Sequence, residues 1–272
     1  MTWRVLLSPK WVFGHLLALA LVVAFVNFGF WQLRRLEQAR ERNAVVTARS
    51  AMEPLSPGAA LARGDDLDFL PVVATGTYDP QDEVLLRGRS LDGQPGYHVL
   101  TPLVLDATAG ALAGRALLVE RGWVPYDMDR VPVEAALPPA GSVTVRGELH
   151  APQTPPTGAL AGLAARDPAE GELTQTFYVD VERLQPQIAH ELLPAYLTLR
   201  SQTPPTAGAL PRPLPEPVFD EGPHLGYAIQ WFAFAVVGVV GYFFLLRSVL
   251  RQPAAGAAAR REAPGEGEPR TE

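Results

Sequence analysis

Two stretches of the chain carry no Asp, Glu, Lys or Arg: Trp11 to Leu33 and Gly222 to Leu246. Each exceeds the ~20 residues that cross a ~30 Å hydrocarbon core. The pattern predicts two transmembrane helices, over 11–33 and 224–246. A cleaved signal peptide would have a shorter apolar run ending at small residues. The first run ends instead in the bulky "VNFGFWQL", as a retained anchor would. Beyond it, "QLRRLEQARERNAVVTARSAM" holds strong helix formers and no Gly or Pro, so the first helix continues until Pro54 and Pro57 stop it.

Between the spans the apolar period shortens to two. "LPVVATGTYD", "EVLLRGRSL", "GYHVLTPLVLD", "RALLVERGWV", "SVTVRGELH" and "AYLTLRSQ" read as strands bounded by turn chemistry such as "YDPQD" and "LDGQPG". "VDVERLQPQIAH" has room for a short helix. The expected fold is a membrane protein with two transmembrane α-helices flanking a β-rich α+β extracytoplasmic domain, its sheet antiparallel or a partly closed barrel. Residues 151–173 read as a long surface loop. Residues 201–223 read as a Pro-rich extended linker within the 34–222 region. The tail 247–272 is rich in Ala, Gly, Pro, Glu and Arg and is expected to be disordered.

Charge placement orients the spans. Arg4 and Lys10 precede the first, and Arg247, Arg251, Arg260 and Arg261 follow the second. The positive-inside rule puts both termini, including residues 1–10, in the cytoplasm and the main domain outside. Arg34, Arg35, Arg40 and Arg42 weaken this for the first span, so the second carries the assignment. A multi-pass protein of the cytoplasmic membrane follows. Arg outnumbers Lys 22 to 1, as in a GC-rich bacterial genome. With a net charge of −6 and no basic patch, nucleic acid is not an expected partner. The lipid bilayer is. The absence of cysteine removes disulfides, CxxC redox chemistry, iron–sulfur ligation, covalent haem attachment and thiolate copper sites.

No nucleophile elbow, Walker loop, dinucleotide fingerprint or H-E-x-x-H motif occurs, so the chain is not expected to be an enzyme. Asp65, Asp66 and Asp68 read as solvated loop charge. His98, His150 and His190 are scattered singly and read as structural. The second span is more informative. His224, Tyr227, Ala228, Trp231, Ala235, Gly238 and Tyr242 share one helical stripe. Its outer half is polar and aromatic, and the first span offers Asn27, Trp31 and Gln32 at similar depth. Interfacial anchoring explains Trp31, Tyr227 and Trp231. It explains His224 in part and Gln230 poorly, because a Gln inside the bilayer needs a hydrogen-bond partner. The competing reading is a binding stripe, since neutral imidazole ligates iron and flanking aromatics suit a porphyrin face. His15 lies ~24 Å from Trp31 along the helix. It is therefore too deep to share one iron with His224, and reads as a packing group.

"FGFWQLRRLEQARERN", "PGYHVLTPLVL", "LLVERGWVPYD" and "HLGYAIQWFAF" occur in this order. Together they resemble the surfeit-locus-protein-one family of cytochrome c oxidase assembly factors. The resemblance runs from Gly29 to about Phe244. It implies a non-catalytic membrane factor assisting haem a insertion into the large oxidase subunit; the alternative is a haem-free scaffold joining oxidase subunits or respiratory complexes. It implies transient contact with haem a, His224 being the candidate iron ligand and Tyr227, Trp231 and Trp31 lining the same face. Oxidase subunits, other respiratory complexes and haem a synthesis enzymes are the implied partners. Gln32, beside Trp31 in "FWQLRR", also matches a family motif. Gly96 and Tyr97, and Arg121, Gly122, Trp123 and Pro125, match others. Their first expected role is in the fold, with Arg121 paired to a carboxylate.

Overall fold

The computed structural model describes residues 6–64, 66–158, 162, 164–216 and 220–251. The chain divides into two compact units, Met1–Asn43 with Phe219–Glu272, and Ala44–Val218.

In the first unit the charge-free runs form α1 (Pro9–Ser50), whose last turns belong to the second unit, and α4 (His224–Arg251). Both are long and apolar enough to cross a membrane, each reaching a mean hydropathy of 2.1. Leu16, Leu17, Val236, Val237, Phe243 and Phe244 stand exposed on them. So large an apolar surface suits lipid, not water. Within the described residues α4 runs to Arg251, past the expected end at 246; from Gln252 the expected disordered tail lies outside the described residues.

The second unit contains α2 (Pro57–Leu61), β1 (Leu70–Tyr78), β2 (Val84–Leu91), β3 (Gln94–Leu105), β4 (Ala116–Pro125), β5 (Ser142–His150), β6 (Gln175–Thr176), α3 (Val181–Leu184) and β7 (Leu192–Thr203). Among the described residues the sheet order is β1-β5-β7-β4-β3-β2-β6, and β1 also pairs with β3. That second pairing, Gly76 to Tyr78 against Leu105 to Leu103, closes β1, β5, β7, β4 and β3 into a ring. The sheet is mixed, which corrects the antiparallel expectation. β7 lies parallel to β4, and β6 parallel to β2. Local apolar alternation is the same for either direction, so only the chain path decides it.

The alternation in β1 and β5 sends Val72, Ala74, Val143, Val145 and Leu149 into one core with Leu103, Leu117, Val119, Ala195 and Leu197. A second cluster joins Leu86, Leu100 and Leu118 to Val179, Leu184 and Ile188 around α3. Neighbouring strands cross so closely that some positions admit no side chain. A Cβ on Gly76, Gly96 or Gly147 would collide with the carbonyl of Val104, Val124 or Thr198 respectively. Gly122 combines such a collision, with Arg212, with a φ of 146°. Glycine is what these sites accept.

One further expectation changes. The Pro-rich stretch 201–223 begins inside β7, and Arg212 exchanges two 2.8 Å backbone hydrogen bonds with Trp123. That part is docked on the sheet. The described loop carboxylates are exposed, as expected of solvated loop charge, and each also has a partner. Asp66 pairs with Arg49, and Asp68 accepts the Ala151 N–H at 3.1 Å and lies 3.6 Å from His150 Nδ1. Asp65 lies outside the described residues.

Candidate functional site

The helical unit holds the residues singled out on the second span. Phe25 and Phe28 of α1 meet Trp231, Gly29 meets Phe232, and Gln32 meets His224. At the other end His15 is hydrogen-bonded to Tyr242. Residue numbers rise on α1 as they fall on α4, so the helices are antiparallel. Their seam is set by small residues: a Cβ on Gly29 would come 2.6 Å from the Phe232 ring, and one on Gly238 would touch Val22 at 3.7 Å. Ala228 and Ala235 are buried in the same seam.

His224 opens α4 and is half-buried. Its Nδ1 lies 2.9 Å from Gln32 Oε1, and the Gln32 side chain is only 9% exposed. An amide oxygen accepts and does not donate, so Nδ1 carries a proton, and in the neutral ring Nε2 is then the nitrogen with the lone pair. Gly222, at φ 68°, lies beside that edge of the ring. A Cβ there would stand 3.3 Å from Nε2 and Cδ2, and glycine keeps the approach clear of one. A neutral imidazole with a hydrogen-bonded Nδ1 and an unprotonated Nε2 is the donor set of a histidine that ligates iron. The residues present fit that group.

The other three candidates separate. Trp231 packs into Phe25, Phe28 and Phe234, with ring centroids 5.0–5.9 Å apart. Trp31 is 44% exposed, with Arg35 of its own helix 5.7 Å over the ring. Tyr227 is 48% exposed. The structure joins His224 to Gln32 and Trp231 to the helix seam, while Trp31 and Tyr227 face outward. Gln230 is also exposed. Gln32 was legible as a polar residue at the right depth and as a match to the family's "FWQLRR" motif, with no partner assigned. The stronger signal was the α1 series Val22, Phe25, Gly29, Gln32, spaced three to four residues apart like the stripe on α4.

The sheet unit carries two polar clusters. In its interior, Arg121 and Glu83 both have fully buried side chains 3.5 Å apart. Glu83 also accepts from Thr101 Oγ1 at 2.9 Å and the Val133 N–H at 2.8 Å, and Arg121 donates to the Ala136 carbonyl at 2.7 Å. Burial holds the Glu83 carboxyl above the ordinary carboxylate range despite these partners, and lowers Arg121. The expected carboxylate partner of Arg121 is Glu83. The pair fastens the loop around Val133–Ala136 to β2 and β4, a structural task.

On the opposite face of β4, Glu120 accepts from Thr198 at 2.7 Å and pairs with His98 at 2.7 Å. Burial alone would raise the Glu120 carboxyl, but His98 and Thr198 outweigh it and the net shift is downward. His150 is stacked on Tyr196 and edged by Phe69, and burial lowers it. Burial also pushes the Tyr196 hydroxyl up to about 12. His98 is thus hydrogen-bonded to Glu120, and His150 is packed between aromatic rings. Among the described residues no group of three or more His, Asp or Glu is placed to hold a metal ion.

The chain combines a small mixed β-barrel with a pair of apolar helices, and His224 lies on the helices. The SURF1 family model matches residues 19–236, most of the chain, and the protein belongs to that family. An uncharacterized SURF1-like protein of Mycobacterium tuberculosis is 29% identical over 96% of this chain and 90% of the relative. The cytochrome oxidase assembly protein SHY1 of Saccharomyces cerevisiae is 27% identical over 43% of this chain and 29% of its own length. A SURF1-like protein of Rickettsia felis is 30% identical over 40% and 45%.

Proposed function

We propose that this protein is a membrane-embedded assembly factor for cytochrome c oxidase that holds haem a as cargo on His224 during its insertion into the large oxidase subunit. Family membership and the likeness to SHY1 support the oxidase role. The observation carrying the haem contact is the His224–Gln32 hydrogen bond, which engages Nδ1 and leaves Nε2 of the neutral ring to donate. His224 would hold haem a by donating Nε2 to its iron. The outward rings of Trp31 and Tyr227 would flank the porphyrin, and Trp231 would hold α4 against α1 behind it. No catalytic chemistry is asked of the protein. α1 and α4 span the cytoplasmic membrane with both termini inside, and the barrel lies outside. Oxidase subunits are the partners, with haem a synthesis enzymes as the source of cargo.

The test is the optical spectrum of protein purified in detergent from cells that make haem a. The wild type carries an a-type haem band, and His224→Ala loses it while keeping its yield and helix content. Intact haem in His224→Ala would sink the ligand assignment. A colourless wild type that still co-purifies with oxidase subunits would replace this reading with a haem-free scaffold.

A further inference from the structure

We infer that Gln32 is the positioning residue for His224. Its carboxamide oxygen fixes the imidazole as the Nδ1–H tautomer and turns Nε2 toward the iron. This rests on the haem-contact reading above.

An imidazole opening a helix has two soft torsions and two tautomers, and only one combination presents a lone pair at a chosen point. Gln32 removes both freedoms with one bond. Its Oε1 is 2.9 Å from Nδ1, and its side chain is nine-tenths buried on α1. In an apolar surrounding a carboxamide oxygen has few other donors to turn to, so the bond persists. The height of Gln32 along the seam is set one turn earlier, where Gly29 admits the Phe232 ring. The side of the ring opposite the bond is the one that Gly222 keeps free of a Cβ. These contacts act on the two nitrogens separately: Nδ1 is saturated, and among the described residues Nε2 is left clear. His15, the other histidine of this unit, provides the contrast. Both of its nitrogens are engaged, by Tyr242 and by the Leu6 carbonyl, so it has no lone pair to give.

The roles of the two amide atoms are decisive. If the Gln32 NH₂ faced Nδ1, then Nδ1 would be the acceptor, the proton would sit on Nε2, and His224 could not ligate through it.

Two readouts test this in the full-length protein. The first needs no haem. With ¹⁵N-labelled histidine and His15→Asn, His98→Asn, His150→Asn and His190→Asn to isolate the signal, His224 in the cargo-free protein shows the Nδ1–H pattern. Gln32→Leu converts it to a mixture of tautomers. An Nε2–H pattern in the otherwise unchanged background overturns the inference outright.

The second readout is haem. Gln32→Leu weakens haem a binding about 10–100-fold, the usual effect of losing a hydrogen-bonding partner behind a ligating histidine. Gln32→Glu keeps the shape and the acceptor but adds charge, so it retains haem and lowers the reduction midpoint potential. A merely structural Gln32 would leave the potential unchanged. If His224→Ala abolishes haem binding but both Gln32 variants match wild type in affinity and potential, the positioning role falls and the haem reading stands. If the wild type binds no haem, the haem reading falls, and with it the ligand that Gln32 would position.

Discussion

Replacing Arg121 by Met strips the cation from the buried centre of the sheet unit and keeps much of its volume. Glu83, whose side chain is wholly buried, is left with two hydrogen bonds, from Thr101 and Val133. The Ala136 carbonyl loses its donor. Removing one partner of a buried ion pair costs about 3–5 kcal/mol because the other charge stays behind. The orphaned carbonyl pushes the loss toward the upper end of that range. For a unit of this size each kcal/mol moves the midpoint by about 2–4 °C, so Arg121→Met melts roughly 6–20 °C below wild type. The loss is also pH-dependent, with a definite sign. Glu83 is raised in the folded state, so it binds its proton more tightly there than in the unfolded chain. Its contribution to stability is present in acid and disappears as pH climbs through the folded value. Without Arg121 that value rises further, and each unit is worth about 1.4 kcal/mol. The deficit against wild type is therefore smaller at pH 5 than at pH 7.5. The double variant Glu83→Gln/Arg121→Met, which buries no charge, recovers most of the loss. Thermal unfolding of the detergent-purified protein, followed by circular dichroism at both pH values, is the assay. A deficit below about 1 kcal/mol, an equal deficit at both pH values, or a double variant as weak as the single would refute this account of the pair.

Three further outcomes are expected. Gly147→Ala and Gly96→Ala each meet a carbonyl of the neighbouring strand and cost at least ~1–3 kcal/mol, whereas Gly226→Ala, with nothing within 4 Å, is tolerated; the same melts report all three. Because the chain has no cysteine, Val22→Cys/Gly238→Cys forms an intramolecular disulfide on oxidation in native membranes, seen as a gel shift, and Gly29→Leu abolishes it by wedging Phe232 away. Glu120 is lowered in the folded state, so it stabilises above the unfolded carboxylate value and the gain is lost as pH falls through the folded value. Wild type should thus lose stability on acidification toward pH 3.5, and Glu120→Gln should lose less over the same range; parallel pH profiles would count against the His98–Glu120–Thr198 cluster.

How far these features were legible depended on the range of the interaction. Charge-free runs and two-residue alternation are local, and both helices and most strands follow from them. Strand direction is not local. The β4–β7 pairing joins residues whose spacing in sequence carries no record of orientation, which is why the mixed sheet escaped. The "PGYH" and "RGWVP" motifs were read as parts of the fold. Their reason appears only in register, where Gly96 opposes Pro125 and the Trp123 indole fills the space above Gly96. The site divides the same way. His224 stood out because a histidine is rare at the edge of an apolar run. Gln32 gained meaning only when α1 was laid against α4, because a hydrogen bond between residues 192 positions apart leaves no spacing to find.

The last strand of the barrel in sequence is not at its margin. β7 lies between β5 and β4, two strands made earlier, and pairs with each. Until a growing chain has delivered Leu192–Thr203, both neighbours present unpaired edges, the surfaces on which strands of other molecules add. The ring cannot close one hairpin at a time. It waits for a segment that ends only about twenty residues ahead of α4. A premature stop before β7 therefore does more than shorten the barrel: it leaves two sticky flanks and removes the second apolar helix as well. A chain completed to Thr203 has every strand of the ring, and the timing of barrel closure is tied to the arrival of the helix that carries His224.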